Sequence, residues 1–287
     1  MANEETEYRE KYDKNENFNN FSEEDKSLFL QKKILKTGLK HPNPGIDFSY
    51  YDKIFIDLDS LLSRLISEEL PADDKIRAEL VSFIMELFAD FFSNYSDEAS
   101  IFILYGFKRN KIFDNVYENW NTERYKRFEN ETVVNFIHKN LLRRLKVYSK
   151  TVKNVTVLEY KDAFLIDVIK ILDVVEKNAP TLLMSRNPQT LCVLAYYNIS
   201  IYDGKEIVDR KTYKLIKGNP TVHYSLIPHW FLLKGDKRNG YKGYYRMGPK
   251  TTDKYIEKNK EDVISFEDER MKSLEKYKKL YFLKENL

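Results

Sequence analysis

Between Gly235 and Thr252 five basic residues, Lys237, Arg238, Lys242, Arg246 and Lys250, fall within fourteen positions, interleaved with Tyr241, Tyr244 and Tyr245. That pattern suits phosphate binding. Backbone N–H groups at a glycine-bounded helix start hold phosphate oxygens, and flanking lysines add screened Coulomb attraction. A second basic stretch, residues 108–153, holds twelve Lys or Arg against five acids, a net of +7. Within it Arg124, Lys126, Arg127, Lys139, Arg143, Arg144 and Lys146 could line a groove, with Tyr125 and Trp120 available to stack on bases. A charge run is equally what a solvated helical face looks like, and a single aromatic is more often a packing residue. The other chemistry is acidic. Asp57 closes the apolar run Ile54-Phe55-Ile56, and an acid at the end of a buried strand is either a metal ligand or a cap.

Other candidates carry less. His41, His138, His223 and His229 have no metal-ligand spacing, and His223 and His229 read as a loop residue and a core or surface residue. Cys192 lies in the apolar run Leu191–Tyr197 and reads as a packing residue rather than a nucleophile. There is no phosphate-binding loop, and only 9 glycines.

The elements that must position these groups alternate in type. Residues 1–22 read as a flexible acidic tail, and residues 23–50 as a helix starting at Ser22 and a Pro- and Gly-containing loop. Residues 51–224 carry five buried-strand runs: Lys53–Leu58, Ile101–Tyr105, Val155–Leu158, Thr181–Met184 and Ile199–Tyr202. Helices are predicted from about Ser60, over Asp73–Tyr95 and over Ala163–Lys177, and residues 225–287 read as helical, ending in a charged helix from about Ser265. Strands alternating with helices predict an α/β domain on a mostly parallel central sheet flanked by helices. Sites in such sheets form at the carboxyl ends of the strands, where Asp57 and Asn187 fall.

Composition narrows the class. Hydrophobic residues make up 42% and charged residues 32% of 287, which predicts a globular chain with a sizeable core. No apolar run approaches a membrane span, the acidic start is unlike a secretory signal, and one cysteine fits a reducing, cytoplasmic compartment. Residues 1–26 hold nine acids and four bases, a net of −5, so the other 261 residues carry +8 against a whole-chain +3. That excess predicts a polyanionic partner.

The stretch Leu233-Lys234-Gly235-Asp236 through Met247-Gly248-Pro249-Lys250-Thr251-Thr252 resembles the flap endonuclease and 5′-nuclease family, a PIN-like fold with a helical arch. There Leu-x-Gly-Asp supplies an acid, and a helix-turn-helix ending in Gly-Pro-Lys grips duplex phosphates. The order of other segments agrees over about residues 52–255. Ile56-Asp57 is similar to the first acidic strand, and Ile103–Lys108 to the second. Tyr125-Lys126 is similar to the Tyr-Lys pair of the arch. Asp162-Ala163-Phe164-Leu165 falls where the family has Glu-Ala-Asp-Asp, and Ser185–Gln189 where it has Ser-x-Asp-x-Asp.

The departures are systematic. The family cleaves phosphodiesters with divalent metals held by a dense carboxylate cluster, and Mg²⁺ takes oxygen ligands. Asp57, Asp162 and Asp236 remain, while Phe107, Phe164, Leu165, Asn187, Gln189 and Asn239 stand where other acids would. A register slip rescues none: Asp167 lies roughly 140° round a helix from Asp162. The resemblance therefore implies a DNA-binding pseudo-nuclease serving replication, repair or transcription, alone or with a protein partner. Lys126, Arg127, Arg143, Arg144, Lys237, Arg238, Lys242, Arg246, Gly248, Lys250 and Thr251 would be its DNA contacts, and no cofactor is expected. An active 5′-nuclease with Mg²⁺ on Asp57, Asp162 and Asp236 is one alternative, and a protein-interaction subunit that binds no DNA is another. Richness in Lys, Asn, Tyr and Phe, with the reduced size, suggests a phage or viral source.

Overall fold

The computed structural model describes residues 48–60, 74–95, 97–106, 131–159, 179–235, 243–244, 247–259 and 269–275, with Ser22, Lys278 and Phe282 singly. The predicted helices from Ser22 and over Ala163–Lys177 lie outside the described residues, as do Lys126, Arg127, Asp162, Asp236, Lys237, Arg238, Lys242 and Arg246.

The five predicted strands form, as β1 (Lys53–Asp57), β2 (Ser100–Tyr105), β3 (Val155–Glu159), β4 (Thr181–Met184) and β5 (Ser200–Tyr202). A two-residue strand, β6 (Ile207–Val208), adds an antiparallel edge that the sequence reading lacked. The sheet order is β3-β2-β1-β4-β5-β6, parallel from β3 to β5. Strand residues alternate between two apolar cores. Ile54, Ile56, Ile101, Ile103, Leu182 and Met184 face one; Phe55, Leu104 and Leu183 face the other. Burial on both faces is why these strands read as unbroken apolar runs.

Helices cover each face. Val81, Ile84, Phe88, Phe91 and Phe92 of α1 (Asp74–Tyr95) and Leu141, Leu142 and Leu145 of α2 (Glu131–Tyr148) enter the first core. The second core takes a 3-10 helix, Pro188–Ala195, with α3 (Ile227–Lys234), α4 (Pro249–Asn259) and α5 (Glu269–Glu275). Cys192 is fully buried in it, and burial pushes its thiol well up, as suits a packing residue. Met271 and Leu274 of the predicted C-terminal helix are buried there too.

Candidate functional site

The strand order reverses between β1 and β4: from β1 the chain moves outward to β2 and β3, then returns to β4 on the other side. That reversal opens a crevice at the carboxyl ends of β1 and β4, the usual ligand position in an open α/β sheet. Asp57 ends β1, and Ser185 follows β4.

Asp57 is 4% exposed and is held by its own chain. Its Oδ1 accepts the Ser60 N–H at 3.2 Å and its Oδ2 the Ser185 hydroxyl at 2.6 Å, so one carboxylate ties the two sides of the crevice together. The Ser60 hydroxyl lies 3.1 Å from that of Ser185 and accepts the Arg186 N–H at 3.0 Å. Asn187 donates its N–H to the Ser185 oxygen at 3.2 Å, and its side-chain oxygen accepts the Gln189 N–H at 3.2 Å. The Asn187 amide is thus the N-cap of the 3-10 helix Pro188–Ala195, with Pro188 at its first position. One acid beside Asp57 was missed in the sequence. Asp59 accepts the Gly106 N–H at 2.8 Å and so ties the turn after β1 to the end of β2. Its signal was a second acid two residues past the strand end.

A divalent metal needs several convergent oxygens of high charge density. Among the described residues no group of three or more His, Cys, Asp or Glu side chains converges. At the crevice the described donors are Asp57, already bonded to two donors, Asp59, and neutral hydroxyl and amide oxygens. These described donors alone do not make up a two-metal centre; Asp162 and Asp236 lie outside the described residues.

The described members of the predicted basic set sit on α2 and at the start of α4. Arg143 and Arg144 are exposed on α2, where Arg144 donates to the Ser82 hydroxyl at 3.1 Å. Lys139, Arg143, Lys146 and Lys150 line a groove of about 430 Å³ with Tyr105, Leu142, Val147 and Glu159. Tyr105 and Glu159 are register partners at the ends of β2 and β3. Burial pushes the Tyr105 phenol up, and it donates to Glu159 Oε2 at 3.2 Å. The Tyr105 hydroxyl also raises Lys146, whose ammonium lies 5.4 Å from the Tyr105 ring centre.

Gly248, Lys250 and Thr251 open α4, with Lys250 and Thr251 exposed. Thr252 faces inward, and its hydroxyl donates to the Gly248 carbonyl at 2.9 Å. Trp230 Nε1–H donates to Asp253 at 2.8 Å and fastens α3 to α4. The connection between them is pinched at its base, where Tyr244 N–H meets the Leu233 carbonyl at 2.7 Å. Gly243 has φ +66, and a Cβ there would come within 2.4 Å of the Gly235 nitrogen, so only glycine permits that closure. The sequence showed the glycines of this segment, but not that Gly235 and Gly243 lie against each other.

The six-stranded mixed sheet, its reversal at β1/β4 and its helical layers define a flap-endonuclease-like, PIN-type fold. Solved structures it is similar to include those of the bacteriophage T5 D15 flap endonuclease, also described as a 5′-exonuclease. One, a pseudo-enzyme–product complex with DNA and metal ions, aligns at a TM-score of 0.52 and 12% identity over 80% of this chain and 86% of that one. Another, co-crystallised with metal ions, aligns at 0.54 and 11% over the same shares. A third, with zinc bound, aligns at 0.51 and 12%, again over 80% and 86%. No protein-family model and no curated protein matches the sequence. Among the described residues no helix is long and apolar enough to cross a membrane.

Proposed function

We propose that this chain binds DNA through phosphate contacts and does not hydrolyse it. The observation that carries the reading is the crevice at the ends of β1 and β4. There the Asp57 carboxylate accepts hydrogen bonds from Ser60 and Ser185, and the neighbouring amide, Asn187, is used as a helix cap. A phosphoryl-transfer site needs charge that compensates the pentavalent phosphorus, and the described donors supply little beyond Asp57 and Asp59. Binding would rest on Gly248, Lys250 and Thr251 at the start of α4, on Arg143 and Arg144 of α2, and on Lys126, Arg127, Lys237, Arg238, Lys242 and Arg246. The DNA and metal ions held by the T5 protein of similar fold support the choice of nucleic acid as ligand.

The test is an end-labelled 5′-flap DNA incubated with Mg²⁺ or Mn²⁺, with binding to the same substrate followed by gel shift. Retarded but uncut DNA is expected. Cleavage that disappears in Asp236→Ala would overturn the reading in favour of a working nuclease using Asp57, Asp162 and Asp236. No shift, even after removal of residues 1–26, would leave a protein-interaction subunit instead.

A further inference from the structure

We propose that the surface segment after β6, with Lys211, Lys214, Leu215 and Lys217, is a docking face for the acidic first 26 residues of this same chain. Nothing in it depends on DNA binding. Ile201 pairs with Val208 and Tyr202 with Ile207, so the chain leaves β6 at the amino end of β5, the opposite edge of the sheet from Asp57. There the backbone is fixed from inside. Asp209 Oδ1 accepts the N–H groups of Lys211 and Thr212, each at 2.8 Å. Tyr213 is fully buried and its hydroxyl donates to the Val222 carbonyl, while the Asn219 amide donates to the Tyr213 carbonyl at 3.0 Å. This backbone turns Leu215 outward at 83% exposure, the most exposed large apolar side chain among the described residues. Lys211, Lys214 and Lys217 are exposed around it.

From Arg210 to Pro220 there are four bases and no acid. Arg210 serves the fold: its Nε donates to the Leu194 carbonyl at 2.7 Å and its guanidinium lies 4.3 Å from the Tyr224 ring centre. The three lysines are left to face a ligand, with one apolar anchor among them. Charge, apolar content and the path of the chain name the occupant. Residues 1–26 hold nine acids against four bases, with Tyr8, Tyr12, Phe18 and Phe21 set among them. Such a segment offers carboxylates to the lysines and an aromatic ring to Leu215. Apart from Ser22 it lies outside the described residues, and the continuous described chain begins at Phe48. The Phe48 ring packs on Tyr202 of β5 at 5.6 Å, and Tyr51 bonds Ser200 and feels the Asp209 charge. The chain therefore arrives beside β5 and the end of β6, where the lysine segment starts. Residue 26 is 22 positions before Phe48, a span of up to about 75 Å, so reach is no obstacle and the encounter is intramolecular. The basic flank of α2 stands at the ends of β2 and β3, on the other side of the sheet, and is the competitor.

The experiment treats the full chain with a carbodiimide, which joins a lysine amine to a carboxylate in contact with it, and reads the joined peptides by mass spectrometry. An equal mixture of unlabelled and 15N-labelled chains separates links within one chain from links between two. At low salt we expect links from the acids of residues 1–26 to Lys211, Lys214 and Lys217 to exceed those to Lys139, Lys146 and Lys150 by about fivefold. They should join one isotope only, and fall several-fold in about 0.5 M potassium chloride. Leu215→Ser, at a side chain that supports no packing, should leave the melting temperature unchanged and lower the yield by about threefold. Links that favour α2, that spread evenly over the exposed lysines or that are absent would overturn the inference. So would mixed-isotope links, or a yield that Leu215→Ser leaves unchanged. None of these outcomes bears on the DNA-binding reading, which the gel shift tests by itself.

Discussion

Two regions along the same edge of the sheet handle charge in opposite ways. At the ends of β1 and β4, Asp57 is buried and spends its oxygens on Ser60 and Ser185. Roughly two strand spacings away, ~10 Å, the flank of α2 leaves a row of cations facing solvent with no acid between Thr132 and Leu158. A buried charge satisfied by its own chain is part of the fold, and removing it leaves desolvated donors behind. An exposed row of one sign adds little to the fold and keeps its field for a ligand. The comparison predicts that substitutions in the first region cost stability, while those in the second cost binding.

The largest effect lies where backbone meets backbone. Gly243→Ala puts a methyl within 2.5 Å of the Leu233 carbonyl and holds an L-residue at φ +66. We expect a loss of about 3 kcal/mol or more in urea unfolding, with weakened duplex binding because the start of α4 loses its anchor. A variant as stable as the parent would show that the pinch at Gly235 and Gly243 is dispensable.

Next comes the crevice. Asp57→Ala strips the acceptor from the Ser60 N–H and the Ser185 hydroxyl in a site where both serines are buried. A cost of about 3 kcal/mol is expected, with affinity for oligo-dT unchanged under conditions where the variant is folded. If stability barely moves and DNA handling changes instead, Asp57 belongs with the functional charges and the comparison breaks.

His229 sharpens the buried half by titration. Burial pushes its imidazole down to about 4 from 6.5, with the Lys278 charge adding to the effect, and the ring packs edge-on against Phe282. Between those two values the unfolded chain binds a proton that the folded chain does not, so stability falls as pH drops from 6.5 towards 4. By about pH 5 the loss reaches roughly 2 kcal/mol. Denaturant midpoints measured across that window should fall in the parent and flatten in His229→Phe. Parallel slopes in the two proteins would place the proton uptake elsewhere.

The sequence made much of this legible, and the boundary between what it revealed and what it hid is physical. The strands showed because burial on both faces demands unbroken apolar runs, and Asp57 showed because an acid at the end of such a run is conspicuous. Asp59 and Ser60 were hidden, since their roles depend on β2 and β4 arriving beside them from 47 and 125 residues away. The two-residue β6 is too short to leave a period, and the apolar run at Leu191–Tyr197 gave no sign that it winds as a 3-10 helix. Net charge located the basic stretch over 108–153, but only the packing of Leu141, Leu142 and Leu145 says which flank of α2 is turned along the groove.

The smallest stability change makes the most direct comparison of the two regions. Asn187→Asp keeps a side-chain oxygen able to accept the Gln189 N–H, and Asp caps a helix as well as Asn does. The new charge gains from the 3-10 helix start and loses through repulsion from Asp57, since the Ser185 hydroxyl bonded to Asp57 also accepts the Asn187 N–H. These terms oppose each other, so a net change within about 0.5 kcal/mol is expected at neutral pH. Repulsion should also raise the Asp57 pKa, and Mn²⁺ added to the variant should relieve it by binding between the two carboxylates. A melting temperature that rises with Mn²⁺ in Asn187→Asp but not in the parent would show a crevice short of acids alone. If Mn²⁺ raises the parent's melting temperature as strongly, the crevice is already a metal site, and its charge is no longer spent on the fold.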